Sequence, residues 1–523
     1  MRATAIFQSI MVLCGMILSG SHIDAQSSQT TVNILEYFTE AEGDGLNIIW
    51  AHAVNSQAEL DQSLADDTMM LEADVSAENN TGIPIMAHPP DVYSDLTLDE
   101  WVDRTAETDK GMKIDFKDIS VLEDSLAIIL THEDDIHQPL WLNADIVHGP
   151  NSPREPIPPV EFISTINNGF PEVVLSLGWT THWEDTAAEN MYTWTMIFDV
   201  LFYSYPCKQP VTFPVRAVWS VTSWDKFVMM IGIREDFTVT VWSGANDDVD
   251  VDGLVQLRLN SEMEKVYYDL PDPLMQEFRD ALAALPTVTP SPRPTGWDSN
   301  LWKAIVSGAI GDNVYLSTSS FHVGIVGANG GALVESRDQY KPQTGNLDTV
   351  KVTGKLQFVN RADGTNYGSG DGLQVYLRTS GVSNLKVVQD GLRIYIGRDG
   401  ELRLESVAAT TSDPVTGNLG PSDCYSFEIS DSGEDSSVTA KIQPVECTDG
   451  TGTLPTNTDP VTLSLQAKYD TDYFYIVMAK SGNNIDLLLE DVSVPTVSSA
   501  SSTSSSFALV VAFFVAIKIL IIH

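Results

Sequence analysis

Leu71-Glu72-Ala73-Asp74-Val75 and Lys113-Ile114-Asp115-Phe116-Lys117 carry charge on every second residue of an otherwise apolar run. Side chains alternate across a strand, so Glu72 and Asp74 share one face, as do Asp115 and Lys117. A carboxylate turned toward a protein interior is costly unless it is paired or coordinated. These runs are therefore read as strands of a barrel, with the charged face inward near its C-terminal mouth.

The surrounding sequence supports a barrel. Strand-like runs recur at 46–52, 69–75, 84–90, 111–117, 139–146, 172–179, 211–218, 237–244 and 265–271. Helix-like stretches lie between them at 56–64, 97–105, 160–168, 223–233 and 272–285. Short buried strands alternating with helices indicate βα units and a parallel sheet. Roughly eight such units in about 240 residues match a TIM-type (β/α)8 barrel, an α/β fold.

The texture changes at Pro286–Pro294, where four prolines in nine residues make a semi-rigid linker. Beyond it helical periodicity disappears. Short alternating runs punctuated by Arg-Asp-Gly and Gly-Ser-Gly-Asp-Gly turns read as an all-β sandwich, jelly-roll-like in outline. The expected organisation is a signal peptide at 1–25, a barrel at 26–285, a linker at 286–295 and a sandwich at 296–495. A Ser-rich spacer at 496–506 and an apolar tail at 507–523 follow. Arg2, the apolar run after it and the small residue Ala25 form the secretory signal. The tail holds about 16 apolar residues, where a spanning helix wants about 20. Together with the small, polar spacer it reads as a glycolipid-anchor signal, or else a short membrane anchor.

The chain has 523 residues, 72 acids and 29 bases, for a formal charge of -43. Such a chain repels nucleic acid and anionic membranes. An acidic protein that handles phosphate needs a local positive charge, such as a metal ion. Export favours disulfides, and Cys424 with Cys447 is the expected pair. Cys14 leaves with the signal, and Cys207 is expected to be a buried free thiol. Asn79-Asn80-Thr81 is a glycosylation sequon, with Asn79 the acceptor.

Glu72, Asp74 and Asp115 are the candidate metal ligands. Oxygen-only ligands favour Mg2+, with Ca2+ as the alternative, over zinc. His52 and His88 lie near the ends of early strands and suit a base–acid pair near neutral pH. Lys117 could steady charge on a phosphoryl oxygen. Asn143 could contact a ligand, while Asp145, on the same face, could equally cap the next segment. Ser176 and Gly178 share a face on the next strand. Trp242 ends a late strand, where it either lines the mouth or packs in the core. Trp297, Trp302 and glycine-rich loops give the sandwich either a glycan-binding or a packing role.

The order His52, Glu72-x-Asp74, His88, Asp115-x-Lys117 resembles the glycerophosphodiester phosphodiesterases. In spacing it is closer to the sphingomyelinase-D-like phospholipases of spider venoms. That resemblance implies Mg2+ on the carboxylates, catalytic histidines and a mouth-lining role for Trp242. The Pro-Glu-Asn that follows the first histidine in glycerophosphodiesterases is absent around Asn55. A closer resemblance is to the menorin family, carried by blocks at 50–61, 69–75, 84–101, 110–119, 139–151 and 170–181. It covers about residues 46–285 and implies a secreted or surface role in cell adhesion and dendrite patterning. Two functions follow. One is a metal-dependent phosphodiesterase acting on a lysophospholipid or glycerophosphodiester. The other is a non-catalytic ligand or co-receptor of cell-surface adhesion receptors.

Overall fold

A computed structural model describes residues 31–182, 191–285 and, apart from several short stretches, 302–494. The expected signal peptide, linker, spacer and tail, and Trp297, lie outside the described residues. Among the described residues no helix is long and apolar enough to cross a membrane.

Eight parallel strands form the N-terminal sheet. They are β1 (Trp50–Ala51), β2 (Met70–Ala77), β4 (Gly111–Phe116), β5 (Leu140–Val147), β6 (Val174–Trp179), β7 (Val211–Arg216), β8 (Phe237–Trp242) and β9 (Val266–Asp269). They pair in that order, with helices between them. β3 (Pro84–Met86) stands outside the series and pairs antiparallel with β2. The run at 84–90 is thus not a unit of the barrel. The connection at 78–83 is too short for a crossover helix, so the chain can only turn back on itself.

Register fixes what faces inward. Glu72 sits beside Lys113, and Asp74 beside Asp115, which sits beside Asn143. Asn143 in turn sits beside Ser176. The floor beneath this polar layer is aromatic, with Trp141 5.5 Å from Trp50 and 5.4 Å from Tyr267. Ala73, Ile114, Leu142 and Leu175, on the alternate positions, belong to the large core that also takes in helical Leu126, Phe162 and Leu201.

Among the described residues the C-terminal half forms two seven-stranded antiparallel sheets. Both contribute to one core, Val334, Leu373 and Ile394 from the first and Val323, Leu356 and Tyr425 from the second. This is the expected sandwich. Cys424 and Cys447 form a disulfide, with Cα atoms 5.4 Å apart, and Cys207 is free and buried. Asn79 lies exposed in the connection between β2 and β3.

The sequence reading missed helices at Leu122–Thr131, Trp194–Ser204 and Val251–Leu259. Trp194–Ser204 is apolar nearly all round because it is covered on two sides. It packs on the barrel, and it also meets the sandwich, with Phe198 5.8 Å from Tyr315 and Trp194 5.1 Å from His322. Gly324 makes the close approach possible, since a Cβ there would stand 2.9 Å from Phe198 Cζ. Gly232 plays the same part on the barrel side, accepting hydrogen bonds at its carbonyl from Thr318 N (2.9 Å) and Oγ1 (3.0 Å). Phe198→Ala should cost about 3–5 kcal/mol, as for other buried phenylalanines. A fall in the urea midpoint reads this out, and a loss below about 1 kcal/mol would show that Phe198 does not anchor the junction.

Candidate functional site

The C-terminal ends of β1, β2 and β4 converge on one pocket. Its lining includes His52, Glu72, Asp74, His88, Lys113, Asp115, Lys117, Asn143, Asp145, Arg154, Thr181 and Trp242. Every catalytic, metal and substrate residue expected from the sequence lies there. Glu72, Asp74 and Asp115 are buried, and each brings an oxygen within 4.8 Å of the other two. Strand alternation and register do this with no special loop.

Like charges this close need offsetting. Lys117 Nζ lies 3.1 Å from Asp74 Oδ1 and 2.5 Å from Asp115 Oδ2. Burial alone would raise the Asp74 pKa, but Lys117 and the Asn55 amide outweigh it and hold the carboxyl below its usual range. Asn55 Nδ2 donates to Asp74 Oδ2 (2.7 Å), and Asp74 N donates to Asn55 Oδ1 (2.9 Å). Burial pushes Glu72 upward, and His52 only partly counters it. Burial likewise works against the Lys117 ammonium, yet Asp115 and Asp74 raise its pKa well above the ordinary value.

These residues fit a hard divalent cation. The donors are all oxygens, and Asp115 Oδ1 is buried with no hydrogen-bond partner. Glu72, Asp74 and Asp115 would hold the ion. Lys117 already offsets part of the charge, so one divalent ion would complete the balance.

His52 is held by a residue the sequence reading missed. Its Nδ1 lies 2.8 Å from Asp269 Oδ2 at the end of β9, and 3.5 Å from Glu72 Oε2. The last strand thereby reaches the first. The imidazole is 42 % exposed on its outer side. Burial alone would lower its pKa, but Asp269 and Glu72 raise it from 6.5 to about 10. Burial would raise Asp269, and the facing His52 instead keeps it low. Ala53, next in the chain, has a φ of 57°, the left-handed region that costs a non-glycine residue about 1–2 kcal/mol. Its N–H donates to Glu72 Oε2 (2.9 Å), which holds the turn that aims His52.

His88 is exposed on the rim. Its Nδ1 donates to the Pro89 carbonyl at 2.7 Å, and in the neutral ring that bond makes Nε2 the acceptor. Trp242 lies parallel to His52, the rings 6.3 Å apart and 11° from coplanar, so it lines the mouth. The loop after it is clipped by Arg216, whose Nε donates to Asp247 Oδ2 at 2.9 Å and whose Nη2 donates to Oδ1 at 2.6 Å. Asp145 faces the pocket and caps no helix; burial pushes its carboxyl up to about 6 against the pull of Lys117.

Lys113 stood in the opening run without a role. Strand alternation could have placed it, since it shares the face of Asp115 and Lys117. Asp269 was signalled only by an acid ending a predicted strand. Arg154 and Thr181 sit in loops with no local pattern to mark them.

Two family models match the chain: the menorin N-terminal domain over residues 44–275 and the menorin C-terminal domain over 318–494. It is 37% identical over 257 residues to protein FAM151B of Homo sapiens, covering 48% of this chain and 93% of that protein. The chain belongs to the menorin family. The N-terminal menorin domain spans every strand of the parallel sheet and so the whole site. Similar solved structures include Lotus tetragonolobus seed lectin (8% identity, 38% of this chain, 95% of that one, TM-score 0.27). Lectin I-B4 of Griffonia simplicifolia is another (11% identity, 37% and 93%, TM-score 0.26). Likeness at those scores carries no argument.

Two predictions follow from the charges of this menorin-family site. His52 has a folded pKa above its unfolded value, so its contribution to stability is full below about pH 6.5 and is lost as pH rises toward 10. In chelator, the gap in urea midpoint between the wild type and Asp269→Asn should narrow across that window; a constant gap would refute the pairing. Mg2+ or Ca2+ should raise the melting temperature, by about 2.7 kcal/mol of stabilisation at a hundredfold excess over Kd. Asp115→Asn should abolish the increment, and its survival in that variant would place the ion elsewhere.

Proposed function

We propose that this menorin-family protein is a divalent-metal-dependent phosphodiesterase of the phospholipase-C-like kind. The observation that carries the reading is the convergence of two histidines and three carboxylates on one pocket. A bound Mg2+ would supply Lewis acidity toward a phosphoryl oxygen.

The chain's own groups divide the proton work. His88 has Nδ1–H committed to a carbonyl, so Nε2 can take the proton of an attacking hydroxyl. His52 is held as an imidazolium by Asp269 and Glu72, and its Nε2–H can protonate the leaving oxygen. Lys117 and Lys113 bring positive charge to the side where a phosphoryl oxygen would sit. Trp242 lies parallel to His52 and lines the mouth beside it. The attacking hydroxyl belongs either to water or to the substrate itself, the latter giving a cyclic phosphate.

One observation favours a second reading. Lys117 bridges Asp74 and Asp115 and gives the acids a resident cation. A barrel balanced this way can persist as a non-catalytic extracellular ligand or co-receptor in cell adhesion.

Purified protein incubated with lysophospholipids and glycerophosphodiesters separates the two readings. Release of product should stop with chelator, and His52→Ala or His88→Ala should each lower it about 10²–10⁴-fold. Product formation equal in His52→Ala and wild type, or none in either, would remove the enzyme reading. Adhesion-receptor binding that survives Glu72→Ala would then support the second.

A further inference from the structure

The pocket has a second side that the metal and histidine chemistry does not use. Asn143 and Asp145 rise from β5, Arg154 follows β5, Thr181 follows β6, and Pro214 comes from β7. Strand order puts the β5 edge of this side next to the carboxylates of β2 and β4, and its β7 edge beside β8, which ends in Trp242.

Its polar groups are uncommitted. Ser176 Oγ donates to Asn143 Oδ1 at 2.5 Å, which leaves the Asn143 amide nitrogen free to donate. Among the described residues the Asp145 carboxylate accepts no hydrogen bond and makes no ion pair within 4 Å, and the Arg154 guanidinium pairs with no carboxylate. Thr181 offers a hydroxyl at the same wall. Space in front of Asp145 is kept by Gly178, its neighbour in register. A Cβ at Gly178 would stand 3.0 Å from Asp145 Oδ1 and 2.8 Å from Pro214 Cγ. A partly buried carboxylate without protein donors is stabilised by a ligand that brings them.

One acceptor-only group beside several donors matches vicinal hydroxyls, each of which donates once and accepts elsewhere. A trimethylammonium group has no proton to donate and is bound best over aromatic faces. Among the described residues Asn143, Asp145, Arg154 and Thr181 bring no aromatic face to this wall, and Trp242 lies parallel to His52. We propose that the β5–β6 wall is a subsite for a hydroxyl-rich headgroup, glycerol or a cyclitol, of the phosphodiester. Asp145 accepts from its hydroxyls, and Arg154 and Asn143 donate to them. The inference rests on the phosphodiester reading for what lies at the carboxylates, and it selects polyol over choline esters.

Calorimetric titration of the full chain in Mg2+ with myo-inositol 1-phosphate, glycerol 1-phosphate, phosphocholine and inorganic phosphate tests it. Both polyol phosphates should bind at least about tenfold tighter than phosphocholine, a difference of about 1.4 kcal/mol. Asp145→Ala should bring that ratio near one. Thr181→Val, a smaller change, should lower it in the same direction and covers the case in which Asp145→Ala does not fold. Phosphocholine binding as tightly as the polyols, or a ratio unchanged in the folded variants, overturns the inference and leaves the phosphodiester reading intact. Failure to bind any of the four, inorganic phosphate included, overturns both.

Discussion

Five carboxylates, Glu72, Asp74, Asp115, Asp145 and Asp269, are gathered at one end of the barrel, and their mutual repulsion is the constraint around which the rest is arranged. In a low-dielectric interior such a group would shift toward protonation or force the strands apart. Instead four of the five are given a counterpart. Lys117 takes Asp74 and Asp115, His52 takes Asp269 and Glu72, and Asn55 binds Asp74 from the side. Lys113 lies deeper, 5.9 Å over the ring of Trp50, between the aromatic floor and the acids. Lys113, Lys117 and the His52 imidazolium face five acids, which leaves room for one divalent ion.

Much of this was legible in the sequence because strand alternation is a short-range rule. Glu72-x-Asp74 and Asp115-x-Lys117 could be placed on one inward face with no knowledge of the fold. The barrel followed from the spacing of its strands and the sandwich from its alternating runs. What stayed hidden depends on contacts far apart in the chain. Asp269 meets His52 across 217 residues. Arg154 and Thr181 belong to loops whose path follows from the completed barrel. The run ending at His88 looked like a barrel strand because an antiparallel hairpin strand buries its residues as a parallel one does.

The junction between the domains explains another omission. A helix with one apolar stripe announces itself by its period, whereas Trp194–Ser204 lies between two cores and has no polar face to create one. Its Phe198 reaches the sandwich where Gly324 makes room, while Gly232 accepts Thr318 from the other side. The sandwich therefore buttresses the barrel on the flank formed by this helix. Among the described residues the pocket draws its lining from strand ends and loops of the barrel alone.

The bond from Asp269 to His52 joins the first strand of the ring to the last. A chain still being made, or clipped within β9, would have every carboxylate of the trio and both histidines in place. Yet it would lack Asp269, the nearer of the two carboxylates that face His52. Such a truncated form would carry every recognisable motif of the site with its charges unbalanced. The full charge pairing of His52 thus arises only when the circle shuts.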